Sequence, residues 1–245
     1  MKELTESILS SEYCVALTGA GISTLSGIKD FRGKDGFYKQ KQIDADKIFD
    51  LSYFLSDPSY YYMNTKEFIY NLEEKQPNIV HRTLAKLEKQ GILKATITQN
   101  IDILHQKAGS KKVIEVHGSP KEHNCLDCGK KYSYEEIQDC LRKNEVPYCN
   151  SCQGIIKPQI TFFGECLDET ALTSASREAE KADLMLVLGS SLQVQPAASI
   201  PLYTLQNGGK LIIVNNMSTP LDPYAKKRYG SLEECFECID KALAN

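Results

Sequence analysis

Read for apolar and polar positions, the chain alternates short apolar runs with longer amphipathic stretches. The opening MKELTESIL spaces charges among apolar positions and predicts an amphipathic first helix. YCVALTGAG (Tyr13 to Gly21) is an apolar run that enters a glycine turn, as a buried strand would. Asp57-Pro58 reads as an N-cap followed by a first helical residue, opening a helix through Tyr70. Asn78 caps a second helix, with Leu84 and Leu87 on one face. KATITQN (Lys94 to Asn100) and VIEV (Val113 to Val116) predict strands that end in polar residues. DLMLVLG (Asp183 to Gly189) is the most apolar run, which predicts a central parallel strand. KLIIVNN (Lys210 to Asn216) follows a helix and a Gly208-Gly209 turn, and a last helix covers roughly Leu232 to Ala244.

Strands alternating with helices predict an α/β fold with a doubly wound parallel sheet. Such sheets bind ligands beyond the carboxyl ends of their strands. Here those ends read Thr18-Gly19, Gln99-Asn100, His117-Gly118, Gly189-Ser190 and Asn215-Asn216, so small or polar residues converge on one edge and form one shared site. Between Ser119 and Lys157 the pattern breaks into a stretch rich in Cys, Lys and Glu, which reads as an inserted module. No internal repeat or low-complexity segment interrupts the rest.

Composition narrows the class. Of the 245 residues 42% are hydrophobic and 25% charged, as in a globular protein. A formal net charge of −3 argues against a nucleic-acid binder, which carries a basic surplus. No run approaches the ~20 apolar residues of a membrane span. The N-terminus lacks the apolar run and small-residue cleavage site of a signal peptide. The expected location is therefore the cytoplasm, where nine cysteines are better read as metal ligands and buried thiols than as disulfides.

Cys125-Leu-Asp-Cys128 and Cys149-Asn-Ser-Cys152 are two C-x2-C knuckles, 20 residues apart. Together they predict a four-thiolate structural zinc site, with redox or merely buried thiols as the competing reading. Four thiolates close the coordination shell, so the metal would hold the module together and take no part in chemistry. His123, beside a knuckle, is not needed as a ligand and is expected on the surface. Cys235-Phe-Glu-Cys238 repeats the spacing inside a helical pattern with no partner pair, which predicts buried thiols. Cys14, Cys140 and Cys166 are unpaired by spacing.

Thr18-Gly-Ala-Gly-Ile-Ser23 follows the first strand directly. Glycines there let a backbone approach a diphosphate. The third glycine of a dehydrogenase fingerprint is absent, and no ribose-binding acid can be placed ~20 residues on. Alone, the motif fits a tight turn with no ligand nearly as well.

It does not stand alone. Gly19-Ala-Gly-Ile-Ser23, Gly27-Ile-Lys-Asp-Phe-Arg32, Thr98-Gln-Asn-Ile-Asp102, His117-Gly118, the cysteine pairs, Phe163-Gly-Glu165, Gly189-Ser-Ser-Leu192 and Asn215 through Thr219-Pro220 follow the order found in sirtuins. From about residue 10 onward the chain resembles the minimal catalytic core of a small bacterial or archaeal sirtuin. The resemblance implies one catalytic domain over residues 1–245. A Rossmann-like NAD-binding part would span residues 1–30, 79–118 and 158–245. A small domain would come from a helical insert with the cofactor loop (31–78) and the zinc ribbon (119–157).

It also implies roles. Gly19, Ala20, Gly21, Ser23 and Thr24 would line the diphosphate and ribose, with Asp30, Phe31 and Arg32 on the cofactor loop; Phe31 would shield the reacting carbon and Arg32 would pair with phosphate. Gln99 and Asn100 would hold the nicotinamide ribose and a water, and Ile101 and Asp102 the carboxamide. Gly189, Ser190, Ser191, Asn215 and Asn216 would take the adenosine half, with the Leu232 backbone at the adenine. His117, which by position alone would pass for a core histidine, would be the general base on a ribose hydroxyl. The acyl-lysine groove would run along Lys157 to Glu165, where the peptide adds as a strand, with Thr161, Phe163, Gly164 and Val194 wrapping the lysine. His81 and His105 fall in helical patterns and read as structural.

The implied reaction is NAD-dependent deacetylation of protein lysines. Nicotinamide, free lysine and O-acetyl-ADP-ribose would leave; acetylated proteins would be the partners, and a monomer is the expected state. Two positions depart from the family pattern: Lys29 stands where proline is common, and Thr161 where valine is usual. Relatives that prefer acidic acyl groups carry a Tyr-x-x-Arg pair, and the matching positions here read Thr65 and Phe68, which favours uncharged groups: acetyl first, longer acyl second. The competing functions are an ADP-ribosyltransferase, a non-catalytic NAD or ADP-ribose sensor, and a zinc-ribbon adaptor.

Overall fold

The computed structural model describes residues 1–30, 44–67 and 69–244, and the side chains of 45, 46 and 73 are not among those described. Phe31, Arg32 and Phe68 lie outside the described residues. Among the described residues, ten α-helices and nine strands follow in order: α1 (Lys2–Leu9), β1 (Cys14–Thr18), α2 (Ala45–Ile48), α3 (Leu51–Ser56), α4 (Pro58–Thr65), α5 (Ile79–Lys89), β2 (Leu93–Thr98), α6 (Leu104–Lys107), β3 (Val113–Glu115), β4 (Gly118–Cys125), β5 (Lys131–Ser133), α7 (Tyr134–Arg142), β6 (Ile156–Ile160), α8 (Glu169–Lys181), β7 (Leu184–Leu188), α9 (Ile200–Gln206), β8 (Lys210–Val214), β9 (Lys227–Tyr229) and α10 (Leu232–Leu243).

Six strands form one sheet in the order β3-β2-β1-β7-β8-β9, and every pairing in it is parallel. Side chains alternate across β1. Cys14 and Ala16 join a core with Leu4, Leu84 and Phe236, under α1, α5 and α10. Val15 and Leu17 join a second core with Ala175, Ala179 and Ile200, under α8 and α9. Covered on both faces, β1 and β7 are buried at every position, as central strands of a doubly wound sheet must be. Strand order reverses between β1 and β7, so the crevice for a ligand opens at their carboxyl ends.

Strands β5-β4-β6 form a second, antiparallel sheet. With α7 and helices α3 and α4 it closes a third core of Phe54, Tyr61, Tyr62, Tyr70, Phe162 and Ile137. The rings meet edge to face: Phe54–Phe162 at 5.2 Å, Phe54–Tyr61 at 5.5 Å and Tyr61–Tyr62 at 5.1 Å between centroids. The two segments that interrupt the parallel sheet thus share one interior.

Three expectations shift. The helix opened at Asp57 is capped as expected, the Asp57 carboxylate accepting from the Ser59 amide, but it ends at Thr65, short of Tyr70. The carbonyls of Ile69 and Tyr70 are instead taken from α7, by the Tyr134 hydroxyl (2.9 Å) and the Gln138 amide (2.8 Å). His123 is fully buried on β4 rather than exposed. Its Nε2 shares a 2.8 Å hydrogen bond with the Tyr70 hydroxyl, and burial pushes its pKa down to about 3. Of the helical cysteines Cys235 is buried, but Cys238 is only half-buried. Asn78 caps α5 as expected, with His81 completing a reciprocal capping box.

Candidate active site

Two glycines let the strand ends meet. A Cβ on Gly21 would lie 2.8 Å from the Gly189 Cα and 2.7 Å from its carbonyl oxygen. Gly189 itself has φ +60 and closes on Gly21 and Ile22. The turns after β1 and β7 therefore touch backbone to backbone, joined by the Gly21 amide donating to the Gly189 carbonyl at 2.8 Å. No side chain separates them, which leaves main chain facing the crevice.

From β2 comes a polar network. The Asn100 amide group donates to the Gly19 carbonyl (3.2 Å) and the Ser23 hydroxyl (3.1 Å). Ser23 donates on to the Asp102 carboxylate at 2.6 Å, whose other oxygen accepts from the Leu104 amide at 3.0 Å. Burial raises the Asp102 pKa, opposed by these bonds. Gln99 reaches across to Ser190, its Nε2 donating to the hydroxyl at 3.0 Å, while the Leu192 amide donates to the same oxygen at 3.2 Å. The Ser190 oxygen is thereby held by two donors at the edge of the crevice.

His117 stands between the two sheets, half-buried. Its Nδ1 lies 2.9 Å from the Gln99 carbonyl oxygen, so Nδ1 carries the proton and Nε2 is left as the basic nitrogen. Burial lowers its pKa below the ordinary value of 6.5, partly offset by that bond. On the next residue, Gly118, a Cβ would strike the Gln159 carbonyl at 2.1 Å, which is why β4 and β6 can start pairing immediately after the histidine.

These groups line one cleft of about 730 Å³, in the usual range for small-molecule sites. Of the positions expected to bind cofactor, Gly19, Ala20, Gly21, Ser23 and Asp30 line it, as do Gln99, Asn100, Ile101, Asp102 and His117. Gly189, Ser190, Ser191, Asn215 and Asn216 line its other half. Thr161, Phe163, Gly164 and Val194, expected at the acyl-lysine, line it too. Two expected positions are not among the lining residues: Thr24, whose hydroxyl turns back to the Gly21 carbonyl at 2.9 Å, and Leu232, which packs on the core at the start of α10. Sequence reading missed Met63, Asn64 and Glu67 on and just beyond α4, and Met217 beyond β8. The i, i+4 spacing of Met63 and Glu67 was the one available signal. Thr65, set against the acidic-acyl pattern, is buried and donates to the Tyr61 carbonyl at 2.7 Å.

The four sulfurs of Cys125, Cys128, Cys149 and Cys152 lie within 4.8 Å of one another, with Cys125–Cys152 at 3.4 Å and Cys128–Cys149 at 3.6 Å. A zinc ion with Zn–S bonds of about 2.3 Å needs tetrahedron edges of about 3.8 Å, so the donor set fits the metal. The Tyr132 hydroxyl donates to the Cys149 sulfur at 3.1 Å and supports the ligand from outside the cluster.

A doubly wound sheet with a ligand crevice at its switch point, joined to a four-cysteine module, defines a nucleotide-binding protein stapled by a metal. Residues 19–196 match the Sir2 family, and the chain belongs to it. An NAD-dependent protein deacetylase of Thermotoga maritima is 49% identical over 94% of this chain and 92% of its own length. A Sir2 structure with p53 peptide and NAD+ superposes with a TM-score of 0.91 at 45% identity, covering 100% of this chain and 99% of that one. Another, with deacetylated p53 peptide and 3'-O-acetyl ADP ribose, reaches 0.92 at 46% identity, covering 100% and 97%.

Proposed function

We propose that this chain is an NAD-dependent protein-lysine deacetylase, and the observation that carries the reading is His117. Its ring is held by the Gln99 carbonyl with Nε2 left basic, in a cleft also lined by Asn100, Asp102 and Ser190. Bound NAD supplies a glycosidic bond whose cleavage releases nicotinamide and leaves ADP-ribose as the acyl acceptor. Asn100 and Asp102, fixed through Ser23, orient the nicotinamide end. Ser190 and Asn215, both lining the other half of the cleft, take the adenosine end. The His117 Nε2 withdraws a proton from a ribose hydroxyl, and its lowered pKa keeps it neutral for that task at pH 7.

Thr161, Phe163, Gly164 and Val194 form the wall against an acyl-lysine. Uncharged acyl groups are favoured, because Thr65 and Phe68 stand where relatives that prefer acidic acyl groups carry their Tyr-x-x-Arg pair. The parallel sheet binds NAD, and the two inserts, with their common aromatic core, form the small domain. The zinc holds that domain and does no chemistry. Four thiolate ligands support a reducing compartment, the cytoplasm; a monomeric state rests on the family resemblance.

The test is an acetyl-lysine peptide incubated with and without NAD and followed by mass spectrometry, beside a His117→Ala variant. Loss of acetyl that requires NAD and falls by about 10²–10⁴-fold in the variant is the expected result. Nicotinamide release with the peptide still acetylated would transfer the case to an ADP-ribosyltransferase, and intact NAD would leave only a binding role.

A further inference from the structure

Lys157 lies on β6 with 6% of its surface exposed, an uncommon place for an ammonium group. Its ζ-nitrogen donates to the Ile160 carbonyl at 2.7 Å and the Pro158 carbonyl at 3.2 Å. It meets the Glu165 carboxylate at 2.8 Å and sits 4.2 Å from the centre of the Phe162 ring. The same carboxylate accepts from the Phe162 amide at 2.7 Å, and the Glu165 amide returns a bond to the Phe162 carbonyl at 3.0 Å.

Among the described residues, strand β6 pairs with β4 and with no other strand, so it is an edge. Free edges invite another strand to pair with them. Lys157 and Glu165 close this one between residues 158 and 162: they take two carbonyls, one amide and, through the Glu165 backbone, a third carbonyl. The segment beyond is held from other directions. The Thr161 amide donates to the His117 carbonyl at 2.9 Å, the Phe163 amide to Phe49 at 2.6 Å, and the Phe163 carbonyl accepts from Leu51 at 3.1 Å. Among the described residues, no partner takes the Thr161 carbonyl or the Gly164 amide and carbonyl.

We propose that Lys157 is a positioning residue for the protein substrate. With Glu165 it closes the edge that precedes the groove, so an added strand can pair only from Thr161 onward, in the one register that sets its acyl-lysine against His117. An apolar residue at 157 would leave the edge carbonyls bare, and the incoming strand could then slide along them. The inference rests on reading residues 161–164 as the substrate wall.

The experiment compares Lys157→Met, Lys157→Arg and Phe163→Ala in the full-length zinc-loaded protein, titrating acetyl-peptide at saturating NAD and then NAD at saturating peptide. Lys157→Met is expected to raise the peptide KM about tenfold or more while the NAD KM moves less than about twofold, and Lys157→Arg to recover most of the loss. A peptide KM unchanged in Lys157→Met, an equal rise in both KM values, or an arginine variant no better than methionine overturns the proposal. Phe163→Ala separates the two claims. If it raises the peptide KM and Lys157→Met does not, only the positioning role fails. If neither does, the wall itself has been misplaced. Should the methionine variant lose zinc or fail to fold, Glu165→Gln decides, with a rise of about threefold in peptide KM expected and an unchanged value overturning the inference.

Discussion

The two sheets of this molecule solve the burial problem differently. The parallel sheet is covered on both faces by aliphatic side chains contributed by helices on either side. The antiparallel sheet is short, one of its three strands spans only three residues, and its interior combines a cluster of aromatic rings and two of the cysteines with aliphatic side chains. Hydrophobic burial alone can sustain the first; a sheet as small as the second needs a staple. The active cleft lies where they meet, so His117 takes its orientation from the first, through Gln99, and passes its carbonyl to the second, through Thr161.

Removing zinc should break that comparison most severely. Structural zinc contributes on the order of 10 kcal/mol to small modules. Chelation is therefore expected to abolish deacetylation and to expose the amides of residues 119–157 to exchange while the parallel sheet keeps its protection. Hydrogen exchange read by mass spectrometry checks this, and unchanged protection across 119–157 would sink the staple argument.

Acid should strike both halves through buried neutral histidines, the antiparallel one through His123 and the parallel one through a pair. His81 and His105 meet edge to face, 5.0 Å between ring centroids, and burial drives their pKa values down to about 4 and about 3. Unfolding releases them to their ordinary 6.5, so the unfolded chain binds more protons between those values. The stabilisation is complete above pH 6.5 and is lost as pH falls toward the folded values. At pH 5 each costs roughly 2 kcal/mol. Urea midpoints measured from pH 7.5 to 5 should fall accordingly, and His105→Asn should flatten the slope.

Asn78 gives the smallest effect. Its Oδ1 caps α5, while its Nδ2 donates to the Ile22 carbonyl and the Ser26 hydroxyl, both at 2.8 Å, at the base of the cofactor turn. Asn78→Ala should cost about 1 kcal/mol in stability from the cap alone. Asn78→Asp keeps the cap but not the donations, so a raised NAD KM in both variants, with stability lost chiefly in the alanine one, would separate the two tasks.

Most of the parallel sheet was legible in the sequence because strands buried on both faces read as unbroken apolar runs, as in Leu184–Leu188. Strand β9 escaped because Lys227–Tyr229 is three residues long and its first two are charged and exposed. The helical insert was harder to read: the Tyr60–Tyr62 run has no clean period, and α4 ends where α7, distant in sequence, supplies other partners for the next carbonyls. His123 escaped for a related reason, since what buries it is Tyr70, 53 residues away. Motif residues in the cleft were readable from strand ends, whereas Met63, Asn64 and Glu67 belong to no motif and had only the i, i+4 spacing of Met63 and Glu67 to mark them.

The contact between Gly21 and Gly189 bears on attempts to redesign this protein. Enzyme engineers usually retune a nucleotide pocket by exchanging side chains around its centre. At the contact of Gly21 with Gly189 there is none to exchange, because even a methyl group at position 21 would land within 2.8 Å of opposing main chain. Variation in cofactor preference must then arise at other positions along the cleft, whose lining also includes Asp30, Gln99, Ser190 and Asn216.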